Sequence, residues 1–271
     1  MSTLFIVATP IGNLEDITLR ALRVLKEVLI IASEDTRTTA RLLKHYDIHT
    51  PLTSYFEYNK QGKIGYLLEK LGTGDVALVS EAGMPAISDP GYELVVAARR
   101  SGIRVVPLPG ASAFISALAV SGLPTDACHY LGFLPRKADE RRRILESVAQ
   151  ERVTLAAYEA PHRLQAALRD ILLVLGNRRV SVCRELTKLH EEVFSGTVEQ
   201  CIAYFVQPRG ELTIIIEGCT EKALAIDTAD AVSRLGKLKR DGVPMKEALA
   251  QLTCETGISR RELYGEWLKL K

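Results

Sequence analysis

The sequence predicts an α/β protein with two α/β domains in series, followed by a small helical domain. Its 271 residues correspond to about two domains at roughly 150 residues each. Short apolar runs alternate with helical patterns over about the first 110 residues, which is typical of parallel βαβ units. From about residue 227 onward only helical patterns remain. The expected domains are residues 1–122, which contain a parallel sheet, residues 123–221, and residues 222–271.

The elements of the first domain follow from this rhythm. Strands are predicted over residues 4–8, 29–32, 51–54, 76–79 and 104–107. The first helix begins near Thr18, where Leu19, Leu22, Leu25 and Val28 form one apolar stripe. Further helices are predicted over residues 36–45, 62–71 and 92–100.

The second domain repeats the pattern after a helix over residues 111–121 and a linker over residues 122–125. Its strands are predicted over residues 128–133, 154–158, 180–184, 192–195 and 212–217, and its helices over about 138–150 and 161–175. The helical third domain, residues 222–271, has 10 Lys and Arg against 7 Asp and Glu, a local charge of +3.

Composition places the chain among soluble globular proteins. The sequence is 47% hydrophobic and 25% charged, which excludes disordered, collagenous and coiled-coil classes. Its net charge of +2 lacks the strongly basic signature of a dedicated nucleic-acid binder. Any partner must therefore be inferred from local charge.

The five cysteines and the N-terminal residues indicate a cytoplasmic protein. The cysteines are odd in number and contain no C-x-x-C pair, which argues against a zinc site and a disulfide framework. No apolar run approaches about 18 residues, and the first residues lack the features of a signal peptide. We therefore expect free thiols and no bound metal.

Glycine and proline cluster directly after three predicted strands, at residues 9–13, 80–85 and 107–112. Ligands of open parallel sheets bind outside the carboxyl ends of the strands, so these loops predict a small-molecule pocket. Such loops are also ordinary turns in α/β proteins, and each alone is a weak signal. The chain has no G-x-G-x-x-G after its first strand, no P-loop and no H-E-x-x-H, which excludes the standard dinucleotide, triphosphatase and zincin motifs.

Several motifs occur in order along the chain: VATPIGNL (7–14), EDTR (34–37), GMPAISDPG (83–91), PLPG (107–110), SGLPTD (121–126), GFLPRK (132–137), EAPHR (159–163) and RELTK (184–188). Together they resemble the tetrapyrrole methylase superfamily, and more narrowly its branch that methylates the ribose 2′-oxygen of ribosomal RNA. One departure is EAGMP at 81–85, where that branch usually reads DAGTP. The departure leaves side-chain roles for Glu81 and Met84 open.

The resemblance implies two α/β domains of the tetrapyrrole methylase type with a cleft between them for S-adenosylmethionine. It implies methyl transfer to a cytidine ribose in the decoding region of 16S rRNA, with the rRNA or the small ribosomal subunit as partner, and a homodimer. Carried over to this sequence, the cofactor-binding residues are Pro10, Glu81, Gly83, Met84, Ile87, Ser88, Ser112, Ala113, Phe133, Leu134, Tyr158 and Glu159.

Methyl transfer to a ribose hydroxyl needs a base, or a cation that stabilises the developing alkoxide. The preferred assignment places Lys188 near the target hydroxyl, with Glu185 or Asp35 orienting it. Glu185 and Arg163 could instead pair with each other. The other candidates in these polar motifs are Glu34, Glu159 and His162, and the sequence leaves the identity of the base open.

RNA binding is expected at basic residues. Arg37, Arg163 and Arg184 are predicted to contact the substrate, together with a patch formed by Arg136, Lys137 and residues 141–143. Residues 141–143 could instead be the solvated start of a helix. The helical domain also resembles a helix-turn-helix, with a turn at 257–258, a capping box formed by Ser259 and Glu262, and Arg260 and Arg261 opening the second helix. The helical domain could equally be a plain helical cap on the two α/β domains, or a dimer contact.

Two other functions compete with the rRNA methyltransferase. One is a methylase of a small tetrapyrrole macrocycle, against which stand the basic patch and the helical domain. The other is a noncatalytic RNA-binding protein that retains the cleft.

Overall fold

The computed structural model describes residues 2–220, 228–241, 243–245, 248–249, 252 and 260–270. Met1–Gly218 form one compact unit and Cys219–Lys271 form another. The first unit contains two five-stranded sheets, each predicted from the sequence as the centre of a separate domain. Within the described residues, the longest apolar helices are too short or too polar to cross a bilayer.

The first sheet is parallel, as predicted. Its strands are β1 (Thr3–Val7), β2 (Ile30–Ser33), β3 (Leu52–Ser54), β4 (Val76–Val79) and β5 (Arg104–Leu108), in the order β3-β2-β4-β1-β5. Strands β2 and β4 are buried along their whole length, because helices cover both faces of a parallel sheet. All five carboxyl ends therefore meet at one edge.

Four helices flank this sheet: α1 (Leu19–Glu27), α2 (Thr36–His45), α3 (Lys60–Leu71) and α4 (Tyr92–Arg100). A further helix, α5 (Ala113–Val120), follows β5 and packs on the second sheet, where Ala117 is buried against Ile215. The side chains of Thr18, Asp35 and Ser112 cap α1, α2 and α5, each accepting a backbone N–H of the first turn. The predicted helix over 111–121 is shorter than expected because Ser112 is the cap. Residues 110–112 are therefore free to form a loop at the sheet edge.

The second sheet contains β6 (Cys128–Phe133), β7 (Thr154–Glu159), β8 (Arg179–Arg184), β9 (Glu192–Thr197) and β10 (Leu212–Ile216), in the order β6-β7-β10-β8-β9. Only the pairing of β6 with β7 is parallel among the pairings in this part of the chain. The helices α6 (Ala138–Ser147) and α7 (Leu164–Leu175) pack on one face around Leu155, Leu168 and Ile214.

A short helix, α8 (Val198–Tyr204), is absent from the sequence-based assignment. Its start carries a capping box in which Thr197 accepts the N–H of Gln200 and the Gln200 side chain accepts the N–H of Thr197. That T-x-x-Q signature was available in the sequence, but seven residues are too few to show a helical period.

The described part of the second unit contains α9 (Thr228–Arg240) and α10 (Arg260–Lys269). Ala231, Leu235, Leu249, Leu252 and Leu263 form its buried core. The predicted turn at 257–258, the Ser259 cap and the side chains of residues 260–262 lie outside the described residues. The helix-turn-helix therefore stays a prediction.

Candidate functional site

A cleft of about 580 Å³ lies where the loops at the carboxyl edge of the first sheet face the second sheet. This volume is within the usual range for small-molecule sites. Eleven of the twelve residues that the resemblance assigned to the cofactor line it; these are Pro10, Glu81, Gly83, Met84, Ile87, Ser88, Ser112, Ala113, Phe133, Tyr158 and Glu159. The pocket predicted from glycine and proline placement is therefore present in the structure.

The twelfth residue, Leu134, lies elsewhere. Its side chain is 1% exposed and packs in the core beneath the second sheet. Its backbone N–H donates to the Tyr158 carbonyl at 3.2 Å, and its carbonyl accepts from Arg163 at 3.4 Å. Leu134 thus supports the strand that presents Tyr158.

The loops after β1 and β4 hold each other in place. Thr9 and Gly83 exchange two backbone hydrogen bonds, at 2.9 and 3.0 Å. Gly83 has φ +82°, a left-handed conformation that favours glycine. The two loops therefore form one wall of the cleft.

The cleft is acidic. Of the described residues that line it, none is Lys or Arg, whereas Glu34, Glu81, Asp89, Glu159 and Glu211 bring carboxyl groups. Burial, reinforced by the nearby charges of Glu34 and Glu81, raises the pKa of Asp89 to about 6. Burial also raises the pKa of Glu34. Such a cleft suits a cationic ligand and is unsuited to a polyanion.

Asp89 was missed by the sequence reasoning, although it lies in the GMPAISDPG motif. It follows Ser88 at the cleft edge, and a carboxylate among proline and glycine in such a loop was the available signal. Glu211 was also missed, because nothing in the sequence shows that the loop before β10 reaches the cleft.

Glu159 has a structural environment as well as a place in the cleft wall. Its Oε1 accepts the Ala160 N–H at 2.7 Å and pairs with Arg163 at 2.6 Å, while its buried Oε2 has no partner. Burial raises the Glu159 pKa, opposed by the Ala160 N–H and by Arg163. The carboxylate thereby shapes the turn that follows β7.

Lys188 lies at the cleft rim. Its Nζ donates to Glu185 at 2.9 Å and to Glu211 at 3.0 Å, and its Cγ lies so close to Gly12 that a Cβ there would overlap it. Gly12 and Glu211 both line the cleft, so the lysine stem spans from one side to the other. Burial lowers the Lys188 pKa, but the two glutamates outweigh it and raise the pKa overall. The amine is therefore held in its charged form.

Two expectations about the partners of this lysine have different outcomes. Glu185 does contact Lys188, as expected, in a left-handed backbone conformation with φ +50°. The alternative pair of Glu185 with Arg163 is wrong, because Arg163 pairs with Glu159. Asp35 caps α2 and pairs with Arg37 at 3.3 Å, and that contact holds the Asp35 pKa below its usual value. Neither Asp35 nor Arg37 is among the residues that line the cleft.

The predicted basic patch is smaller than its sequence suggests. Arg141 is 4% exposed, and its guanidinium bonds to Asp170 at 2.5 and 2.7 Å and to the Pro135 carbonyl at 3.0 Å. Its assignment as a surface cation is wrong, because its position on α6 faces α7 and the protein interior. Arg142 also pairs with Asp170, at 2.7 Å.

The remaining predicted substrate contacts fall into two groups. Arg37, Arg136 and Lys137 are exposed, and Lys137 pairs loosely with Glu140 at 3.1 Å. Arg163 and Arg184 are partly buried and paired, Arg184 with Glu192 at 2.6 Å. Only the exposed group is available to phosphates without breaking an ion pair inside the protein. Among the described residues, no three His, Cys, Asp or Glu side chains are grouped to hold a metal ion.

Comparison with known proteins places this two-sheet cleft protein in a family. Residues 3–202 match the model of the Tetrapyrrole (Corrin/Porphyrin) Methylases. The Halalkalibacterium halodurans protein named ribosomal RNA small subunit methyltransferase I is 48% identical over 270 residues, which cover 97% of this chain and 93% of that protein. The Thermotoga maritima protein of the same name is 50% identical over 221 residues, covering 80% of this chain and 99% of that protein.

A solved structure shares the fold. Uroporphyrin-III-C-methyltransferase from Thermus thermophilus matches with a TM-score of 0.56 at 20% identity, covering 79% of this chain and 94% of that chain. The family model and the curated relatives, together with this fold, define an α/β methyltransferase. The chain belongs to the tetrapyrrole methylase family, and its cofactor is S-adenosylmethionine.

Proposed function

We propose that this protein transfers a methyl group from S-adenosylmethionine to the ribose 2′-oxygen of a cytidine in the decoding region of 16S rRNA. The similarity to proteins named ribosomal RNA small subunit methyltransferase I, at 41–50% identity over most of the chain, carries the proposal. The rRNA or the small ribosomal subunit is then the partner. The expected cytoplasmic location and homodimer remain part of this proposal.

The cleft is the proposed cofactor site. When bound there, S-adenosylmethionine supplies an electrophilic methyl group on a positively charged sulfonium sulfur. The carboxylates of Glu34, Glu81 and Asp89 complement that charge, and Ile11, Met84 and other apolar residues provide surface for the uncharged parts. The residues present fit the cofactor for this reason.

The RNA is held outside the acidic cleft, with only the target nucleotide reaching its mouth. Arg37, Arg136 and Lys137 supply phosphate contacts, which give position and salt dependence and do not read sequence. Such contacts leave recognition of the cytidine to the cleft and to the shape of the RNA.

Lys188 is the proposed catalytic cation. Held by Glu185 and Glu211 in its charged form, it cannot accept the proton of the ribose hydroxyl. Its ammonium would instead stabilise the negative charge that develops on the ribose oxygen as the O–CH3 bond forms and the S–CH3 bond breaks, and the hydroxyl proton would pass to solvent water. Arg184, the last residue of β8, precedes this segment and supports it by pairing with Glu192 at the start of β9.

The experiment is methyl transfer from radiolabelled S-adenosylmethionine to three acceptors: small ribosomal subunits lacking the modification, free 16S rRNA, and a tetrapyrrole macrocycle. We expect label in the subunits or the rRNA, and nuclease digestion with mass spectrometry should place it on the 2′-oxygen of one cytidine. Label only in the macrocycle, label on a base, or no label in any acceptor would contradict the proposal. The first two acceptors also decide between assembled subunit and free RNA.

A further inference from the structure

Two tyrosines of the second sheet reach across to loops of the first. The hydroxyls of Tyr130 on β6 and Ser88 in the loop after β4 lie 2.6 Å apart. The Tyr158 hydroxyl on β7 accepts the backbone N–H of Phe114, at the start of α5, at 3.1 Å. Both anchored segments line the cleft, through residues 81–84, 87–89 and 112–113. The second sheet therefore holds the two loops that form the opposite wall.

The aromatic rings make this contact rigid. The ring of Phe114 stacks on Tyr130 with centroids 4.7 Å apart, and Tyr130 meets Tyr158 edge-on at 5.5 Å. Phe133, at the end of β6, packs against Tyr158 at 5.3 Å. Such ring pairs fix the direction in which each hydroxyl points.

The loop after β4 needs an anchor because its backbone is strained. Ala86 and Ser88 have φ +69° and +63°, a left-handed conformation that residues with a Cβ rarely adopt. Strained positions persist only where surrounding contacts determine them. The hydrogen bond to Tyr130 is such a contact, and it acts on one of the two strained residues.

The strand that carries Tyr130 is itself shaped for this contact. β6 shifts register against β7 between Tyr130 and Phe133, and Gly132 within that irregularity has φ +68°. A Cβ on Gly132 would lie 3.5 Å from the Ser88 hydroxyl. The bulge thus brings the strand against the loop at Ser88.

We propose that Tyr130 is a positioning residue, whose hydrogen bond to Ser88 holds the loop of residues 83–88 in the shape that binds the methyl donor. The proposal rests on the cofactor site described under the proposed function, and it is independent of the RNA. Burial raises the pKa of Tyr130 and of Tyr158, so both hydroxyls stay protonated at ordinary pH and the contact persists. Preorganising the loop removes an ordering cost from cofactor binding.

The test compares Tyr130→Phe with Tyr204→Phe in the full chain. Tyr130→Phe removes one hydroxyl and keeps the ring stacked on Phe114. Tyr204→Phe is the matched control, because it also removes one hydrogen-bonded tyrosine hydroxyl, which donates to Glu192. Neither Tyr204 nor Glu192 is among the residues that line the cleft. Calorimetric titration with S-adenosylmethionine should show Kd about five- to tenfold weaker for Tyr130→Phe, the usual effect of one lost hydrogen bond, and unchanged for the control.

Further measurements separate positioning from a general loss of stability. The turnover rate at saturating cofactor should be nearly unchanged in Tyr130→Phe, because the bound donor orders the loop. Ser88→Ala should weaken binding, and adding Tyr130→Phe to it should cost little more, since both remove the same bond. Unfolding temperatures of the unliganded variants report stability alone.

The outcomes are distinct. If the wild-type protein does not bind S-adenosylmethionine, the proposed cofactor site fails and this inference with it. If the wild type binds and Tyr130→Phe binds equally well, only the role of Tyr130 is overturned. Equal weakening in Tyr130→Phe and Tyr204→Phe, or fully additive effects of Ser88→Ala and Tyr130→Phe, would also overturn it.

Discussion

Gly83 lies at the closest approach of two loops, where its backbone joins Thr9 and its φ of +82° excludes most side chains. A Cβ there would have ordinary contacts, 3.5 Å from Ile11 and 3.7 Å from the Ala111 carbonyl. Gly83→Ala should therefore bind S-adenosylmethionine with a modest loss, from backbone strain of about 1 kcal/mol. Gly83→Asp extends a charged side chain from this wall, and calorimetric titration should show no binding. Unchanged binding of Gly83→Asp would place the cofactor elsewhere.

Substitution of Lys188 should affect methyl transfer and leave cofactor binding intact, because Lys188 lies at the rim of the cleft and is not among its lining residues. Lys188→Ala should leave the S-adenosylmethionine Kd nearly unchanged and lower turnover by about a hundred- to a thousandfold, the range for losing one electrostatic contact in the transition state. Arg23→Ala, at an exposed arginine of α1 with one glutamate partner, is the control for general charge loss. Turnover of Lys188→Ala equal to wild type would remove this residue from the mechanism.

Asp89 makes the free energy of unfolding depend on pH. Its pKa is raised from 3.8 to about 6, so the folded protein holds this proton more tightly than the unfolded chain does. The raised pKa of Asp89 therefore stabilises the folded protein fully below about pH 4, and this stabilisation is lost as pH rises through about 6. Asp89→Asn should therefore raise the free energy of unfolding at pH 7.5 by about 1–2 kcal/mol, allowing for the partial exposure of the carboxyl.

Urea unfolding of the unliganded protein at pH 7.5 and pH 5 measures this effect, and the gain should shrink at pH 5. A gain that grows as pH falls would show that the sign is wrong. The same substitution removes an anion from the cleft, so it should weaken S-adenosylmethionine binding at pH 7.5. Stability and cofactor affinity then move in opposite directions.

Helices α6 and α7 are joined by charge as well as by apolar contacts. Asp170 on α7 is buried and accepts from both Arg141 and Arg142 on α6. Asp170→Ala leaves the Arg141 guanidinium buried and unpaired, which should cost about 3–5 kcal/mol of unfolding free energy in urea titrations. Glu140→Ala breaks only the exposed pair with Lys137 and should cost at most about 1 kcal/mol. Similar losses for the two variants would contradict the buried role of Arg141.

The cleft is formed by the first compact unit, Met1–Gly218. Every described residue that lines the cleft lies at or before Thr213, and that unit ends at Gly218. The Thermotoga maritima relative matches over 99% of its own length while covering 80% of this chain. A chain of residues 1–218 should therefore bind S-adenosylmethionine within about twofold of the full chain, because the first unit carries all the described residues that line the cleft.

Calorimetry on the shortened chain measures this, after thermal unfolding has shown one cooperative transition. Loss of cofactor binding in a folded 1–218 chain would contradict it. Binding of the small subunit by the two chains then reports what the helical unit contributes, which is where the predicted helix-turn-helix would act.

The sequence by itself determined the elements, the parallel first sheet and most of the cleft. Apolar runs at β1 to β5 and glycine and proline after three of them are local features, and parallel strands bring their carboxyl ends together whatever the side chains are. This is why Pro10, Gly83 and Ser112 line one cleft, as the positions of their loops predicted. The largely antiparallel second sheet was not evident, because strand direction depends on pairing between distant segments.

Only the tertiary structure decided how charges pair. Arg141 looked like a surface cation until α7 placed Asp170 against it, and Arg163 pairs with Glu159, whereas Glu185 holds Lys188. Local sequence could not choose among the possible pairings, because the free energy of a charge depends on its burial and on which partners the fold brings into contact with it. The contact between Tyr130 and Ser88, 42 residues apart, exists for the same reason only in the folded protein.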